Sequence, residues 1–213
     1  MAALAVLVLG GCDSGSGSDA DPDSAAGSGP SVIAPGKPGE ANRKLSAEEA
    51  ARQRAEDDSP NSADVTYARM MIEHHAQALE MTELAPKRAE STKVRKLAER
   101  IAAAQGPEIA AMRSWLKTHG KSEQGDTAGQ GGAGHNHASM PGMATEAQLR
   151  KLRTARGAAF DQLFLTLMIT HHDGAITMAT EVKGQGNNIR IEEMADEVVA
   201  QQTSEITRMR AML

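Results

Sequence analysis

The strongest constraint on this chain is an internal repeat with a spacing of 97 residues. A shift by that spacing places "MIEHHAQALEM" at 71–81 on "MITHHDGAITM" at 168–178. Without a gap, the same register matches further pairs: Asp64 with Asp161, Tyr67 with Phe164, Gln105 with Gln202, Glu108 with Glu205, Ile109 with Ile206, Met112 with Met209 and Arg113 with Arg210. A match held in register over about fifty residues indicates a tandem duplication.

Each copy predicts a helical hairpin. Apolar residues recur with helical spacing in four segments: 63–85, 92–118, 158–182 and 188–213. Pro86 ends the first of these, and short polar segments turn the chain within each copy. Two hairpins with short turns predict an all-α fold, an antiparallel four-helix bundle with a pseudo-two-fold axis.

The expected domain organisation follows from the repeat. A shorter helical piece precedes each hairpin and begins with a capping box, Ser46 with Glu49 and Thr145 with Gln148. The bundle domain is therefore expected over 45–213. It contains repeat 1 at about 46–118, a His- and Met-rich linker at 119–144, and repeat 2 at about 145–213.

A histidine pair lies on the apolar face of the first helix of each copy. At 100° per residue, His74 and His75 fall on the same arc as Met71 and Ala78, while Glu73 and Glu80 lie opposite. The repeat predicts four imidazoles in one interior, from His74, His75, His171 and His172. The second helices add candidate ligands or supporting groups to the same arc: Gln105, Glu108, Gln202 and Glu205.

These residue types favour copper. Four methionines bracket the histidine pairs, namely Met71, Met81, Met168 and Met178. Imidazole and thioether together suit copper, because soft sulfur favours Cu(I) and imidazole accepts both Cu(I) and Cu(II). The single cysteine, Cys12, excludes a cysteine zinc cluster and an internal disulfide. The alternative is that the histidines are satisfied core residues and the methionines fill gaps.

The linker between the copies is rich in glycine and in further metal-binding side chains. It carries His119, His135, His137, Met140 and Met143. A flexible tract of this composition predicts weak capture of copper, and the alternative is a plain linker.

The N-terminus predicts a lipoprotein. Residues 2–9 are apolar but too short to span a bilayer, and "LGGC" at 9–12 resembles a bacterial lipobox. We therefore expect a signal peptide at 1–12, a lipidated Cys12 and a disordered Gly/Ser/Pro-rich tether at 13–44. No Lys or Arg precedes the apolar run, which departs from the signal-peptide pattern, and the alternative is an incidental cysteine. The expected location is the outer face of the cell membrane.

The repeated motifs identify a family resemblance. "MIEHHAQALEM", "FDQLFLTLMITHHDGAITMA" and the downstream "Q..EI..M" resemble the bacterial domain of unknown function 305 family, over about 60–213. The resemblance implies a secreted or lipid-anchored protein with a ferritin-like four-helix bundle and a role in copper binding and tolerance. It implies no catalytic residues.

Two other functions remain open at this point. Ferritin-like bundles often hold two irons through Glu-x-x-His motifs, as oxidases or peroxide-handling enzymes, but only Glu108 and Glu205 could supply core carboxylates here. A structural or partner-binding bundle without metal is the other. The net charge of −5 and the 2% aromatic content argue against a nucleic-acid partner.

Overall fold

The protein, analysed as a computed structural model, is described over residues 31–35, 39–124 and 140–213. These residues form two short strands and six helices: β1 Ser31–Ala34, β2 Arg43–Ser46, α1 Ala47–Asp57, α2 Ser62–Arg88, α3 Thr92–Thr118, α4 Glu146–Thr154, α5 Gly157–Gln185 and α6 Ile189–Arg210. The all-α class is confirmed, since the only sheet among them is a two-stranded one. No described helix has the length and apolar character needed to cross a membrane.

The chain divides into two compact units, residues 1–52 and 53–213. In the first unit, β1 pairs antiparallel with β2, and Ser31 lies opposite Ser46. This pairing differs from the unstructured tether expected at 13–44. Val32 and Ile33 are exposed, so backbone hydrogen bonds rather than apolar burial hold the hairpin. Cys12 and the expected signal peptide lie outside the described residues.

The second unit contains the two predicted hairpins. The first hairpin is α2 with α3 and the second is α5 with α6, and α2 packs against α5. Helix α2 continues through Pro86 to Arg88, beyond the predicted end at 85. Proline removes only one backbone donor there, in the last turn, and buried Ala85 and Ala89 pack into the core on either side.

Each hairpin caps a helix of the other one through an aspartate at the start of its first helix. Asp64 of α2 accepts hydrogen bonds from the backbone N–H groups of Asn187 and Asn188, which precede α6. Asp161 of α5 accepts them from Glu90 and Ser91, which precede α3. These repeat-equivalent aspartates are therefore far from the histidines and join the two hairpins.

Candidate metal centre

The four predicted histidines all lie in the bundle interior. His74, His75, His171 and His172 have no solvent-exposed surface. The rings of His74 and His171 are adjacent, with centroids 3.7 Å apart and planes inclined by 34°. The antiparallel contact between α2 and α5 thus brings the two repeat-equivalent rings together at its centre.

The outer histidine of each pair is bound to a carboxylate of its own hairpin. His75 Nε2 lies 2.7 Å from Glu108 Oε2, and His172 Nε2 lies 2.7 Å from Glu205 Oε2. An ionised carboxylate only accepts hydrogen bonds, so Nε2 is the donor to such a carboxylate, and Nδ1 carries the lone pair when the ring is neutral. Neither Nδ1 atom has a hydrogen-bond partner among the described residues. A carboxylate that orients a histidine in this way is a common supporting feature of metal sites.

The inner histidines are held differently from each other. His74 Nε2 lies 3.0 Å from the carbonyl oxygen of Pro141, whereas both ring nitrogens of His171 lack a partner among the described residues. Burial lowers the pKa of His74 to about 3, against the partial compensation of the Pro141 hydrogen bond. Burial also lowers the pKa of His171 well below its ordinary value, with a further contribution from His74. Both rings are therefore neutral at physiological pH and available as ligands.

Two amides from the second helices add to the unpaired polar groups. Gln105 and Gln202 are buried, and neither the oxygen nor the nitrogen of either amide has a partner. Together with the imidazoles, the described interior holds five ring nitrogens and four amide atoms without hydrogen bonds. An unsatisfied buried polar atom costs about 1–3 kcal/mol, so an interior of this kind favours a bound ion or ordered water.

The candidate methionines fall into two groups. Met71 and Met178 belong to one cluster of buried apolar residues, and Met81 and Met168 belong to another. Met71 and Met81 are ten residues apart on α2, about 15 Å along a helix axis. Because α2 and α5 are antiparallel, the thioethers pair at opposite ends of the histidine region and do not form a single group of four.

The predicted linker ligands are only partly within the described residues. His119 ends α3, where its Nδ1 lies 2.9 Å from the carbonyl oxygen of Trp115. Met140 is buried and Met143 is half-buried. His135 and His137 lie outside the described residues.

The sequence interpretation missed the docking of residues 140–144 against the bundle. The Gln77 amide exchanges two hydrogen bonds with the backbone of Ala144, at 2.7 and 3.0 Å. Gly174 leaves room for Pro141, whose carbonyl oxygen would lie 2.0 Å from a Cβ at that position. Gln77 and Gly174 occupy equivalent positions of the two repeats but are different residues. This difference was the signal in the sequence that residues 140–144 dock on one side of the bundle and break its two-fold symmetry.

The described residues contain no ready-made group of three His, Asp, Glu or Cys side chains around a metal position. The two carboxylates beside the histidines, Glu108 and Glu205, are each hydrogen-bonded to an imidazole, and two carboxylates are fewer than a ferritin-type di-iron site uses. The unpaired donors are imidazole nitrogens and the amide groups of Gln105 and Gln202, with thioether sulfur in the same core, and imidazole together with thioether suits copper.

Fold and interior together define a four-helix bundle protein with duplicated buried histidine pairs. The chain belongs to the DUF305 family, described as a domain of unknown function, whose sequence profile matches residues 64–213. The family resemblance is thus confirmed. No curated protein matches the chain.

Solved structures support the same assignment. A DUF305 protein from Streptomyces coelicolor, described as a candidate secreted protein, is 33% identical with a TM-score of 0.63 and covers 71% of this chain and 91% of its own. A DUF305 fragment from Deinococcus radiodurans is 30% identical with a TM-score of 0.63, over 72% and 96%. CopM in its Cu(II)-bound form is 29% identical with a TM-score of 0.58, over 70% and 94%. CopM is also known in Cu(I)-bound, Ag-bound and apo forms.

Proposed function

We propose that the protein binds copper inside the bundle, as an extracytoplasmic copper-binding or buffering protein that contributes to copper tolerance. The observation that carries the proposal is the set of unpaired imidazole nitrogens of His74, His75, His171 and His172 in a water-excluding core. The copper-bound forms of CopM show that a relative at 28–29% identity binds this metal.

The arrangement favours Cu(I) in particular. A low pKa keeps His74 and His171 neutral, so no proton has to leave before these rings bind a metal. Met71 with Met178, and Met81 with Met168, supply thioether sulfur at the two ends of the same interior. Soft sulfur donors favour Cu(I) over Cu(II) and Zn.

A competition titration with a Cu(I) chelator tests the proposal. Replacement of all four core histidines with Ala should abolish tight binding, and His171→Leu alone should weaken it about tenfold or more, about 1.4 kcal/mol. The single change is informative because neither ring nitrogen of His171 has a hydrogen-bond partner in the described part of the chain. His119→Ala is the control, because it removes an imidazole outside the interior.

Two outcomes would overturn this function. Unchanged Cu(I) affinity in folded variants, verified by circular dichroism, would remove the histidines from the site. Retention of iron with an oxo-bridged visible spectrum after loading would instead favour the di-metal oxidase alternative.

We also propose that the protein is lipid-anchored through Cys12 on the outer face of the membrane. The lipobox-like "LGGC" and the description of the Streptomyces coelicolor relative as a candidate secreted protein support this location. Recovery of the unprocessed chain in the cytosolic fraction would contradict it.

A further inference from the structure

Two surface openings lead to the repeat-equivalent carboxylates that hold the outer histidines, and they differ in chemistry. Glu108 lines a cavity of about 30 Å³ among α2, α3 and α6, large enough for one water-sized particle. Glu205 lines a groove between α3 and α6. The Glu108 side chain is 21% exposed and that of Glu205 is 9% exposed, so each carboxylate connects its histidine with the surface.

The first opening, here called the Glu108 mouth, contains soft and anionic groups. Its lining includes Tyr67, Glu108, Met112, Met194, Glu197 and Arg190. Met112 and Met194 are almost fully buried, so their thioethers belong to the wall of the cavity and not to the outer surface. The Tyr67 hydroxyl has no hydrogen-bond partner among the described residues, and burial, with a smaller contribution from the charge of Glu108, raises its pKa.

Comparison of the two repeats shows which residues of the Glu108 mouth differ from their equivalents in the other copy. At the equivalent positions in the other copy, Tyr67 becomes Phe164, Met194 becomes Leu97 and Glu197 becomes Arg100. The Glu205 groove is lined by Arg100 and Arg208 around the carboxylate. The Glu108 mouth thus has two carboxylates and one guanidinium, net −1, whereas the Glu205 groove has one carboxylate and two guanidinium groups, net +1.

We propose that the Glu108 mouth is a transient binding site for a soft monovalent cation, Cu(I) or Ag(I), through which the ion reaches His75, and that the Glu205 groove is closed to cations. This inference deepens the proposed copper function and rests on it. The carboxylates attract the cation from solution, and the thioethers of Met112 and Met194 replace part of its hydration. Glu108 then connects this position with His75, to which it is hydrogen-bonded.

The charge difference explains why one opening serves and the other does not. A cation approaching Glu205 meets Arg100 and Arg208 first, and like charge lowers its local concentration. The described residues that line the groove include no methionine, and Leu97 stands at the position equivalent to Met194. Of the two openings, the Glu108 mouth thus carries the donors for a soft cation.

Stopped-flow transfer of Cu(I) from a weak chelator to the metal-free full chain tests the route. Met112→Leu with Met194→Leu should lower the uptake rate about tenfold or more while the equilibrium affinity stays near that of the native chain. Met209→Leu is the matched control, since Met209 is the repeat equivalent of Met112. Methionine and leucine have similar volumes, so the fold should persist in both variants.

A second pair of variants tests the charge. Glu197→Arg, which copies Arg100, should slow uptake about tenfold at low salt, with a smaller effect at high salt. Arg100→Glu reverses the charge of the groove but adds no thioether, so it should leave the rate unchanged. An equal and opposite change in these two variants would indicate a general field effect and overturn the route.

The outcomes separate the route from the function. Uptake rates of the mouth variants equal to those of the native chain, with affinity lost in His171→Leu, would overturn the route alone. Absence of copper binding in the native chain would overturn both.

Discussion

At the scale of single residues, burial determines the protonation of the central histidines. His74 and His171 lie in contact within a core that excludes water, and a charged imidazole there would lose its hydration. Burial is the main cause of the low pKa of each ring, about 3 for His74. The neutral state that a metal requires is therefore already present in the folded protein.

This low pKa makes the stability of the metal-free protein dependent on pH. The unfolded chain binds a proton at His74 near pH 6.5, whereas the folded chain does so near pH 3. Between these values the unfolded state binds more protons, so the unfolding free energy falls as pH falls, by about 1.4 kcal/mol per pH unit for this group. Urea unfolding with a chelator present, from pH 7 to 4, measures it.

Comparison with a His74 variant separates the contribution of this histidine to the pH dependence of stability from the contribution of the carboxylates. His74→Leu should show a shallower pH dependence than the native chain by about 1.4 kcal/mol per pH unit. His119→Ala, outside the interior, should keep the native slope. Parallel curves for His74→Leu and the native chain would show that His74 titrates equally in both states.

At the scale of elements, helix α5 contains two glycines with opposite roles. A Cβ at Gly174 would lie 2.0 Å from the Pro141 carbonyl oxygen, whereas a Cβ at Gly184 would meet nothing within 4 Å. Gly174 allows residues 140–144 to dock on the helix and place a carbonyl at His74. Gly184 lowers the helix propensity of α5, and no close neighbour among the described residues requires a glycine at this position.

The two glycines predict opposite effects of alanine. Gly174→Ala should displace residues 140–144 and lower the unfolding free energy by about 1–3 kcal/mol, because the clash is with backbone atoms. Gly184→Ala should raise it by up to about 1 kcal/mol. Urea unfolding measures both, and hydrogen exchange at the Ala144 amide, which donates to Gln77, reports the docking. Slow exchange there in Gly174→Ala would contradict the steric argument.

At the scale of the whole molecule, the two hairpins hold each other through reciprocal aspartate caps. Asp64 is fully buried and accepts hydrogen bonds from Asn61, Asn187 and Asn188, while half-buried Asp161 accepts two. Hydrogen bonds to a charged group contribute more than neutral ones. The caps therefore stabilise the association of the two repeats. They also stabilise the starts of α3 and α6, which follow the turns.

Removal of these caps should destabilise the bundle unequally. Asp64→Ala should cost about 3 kcal/mol, because it removes the acceptor of three backbone N–H groups and leaves the buried N–H of Asn188 without one, and Asp161→Ala should cost about 1–2 kcal/mol. Asp196→Ala is the control, since it breaks only a surface ion pair with Lys183 and should change stability by less than about 1 kcal/mol. Equal losses in all three, by urea unfolding, would contradict a special role for the caps.

The sequence by itself determined the helices, their pairing into hairpins and the inward face of each histidine pair. These features depend on local periodicity, and the repeat at 97 residues showed that both copies keep them. The capping boxes at Ser46 and Thr145 likewise formed as predicted, because they involve residues only three apart.

Only the tertiary structure decided which groups meet. It paired His75 with Glu108 across 33 residues, separated the methionines into two clusters, and docked residues 140–144 over His74. It also showed that the opening at Glu108 is acidic and contains two methionines, while the groove at Glu205 is basic. A helical wheel gives the direction of a side chain but neither its depth nor its neighbours on other helices, and those depend on how the two hairpins pack.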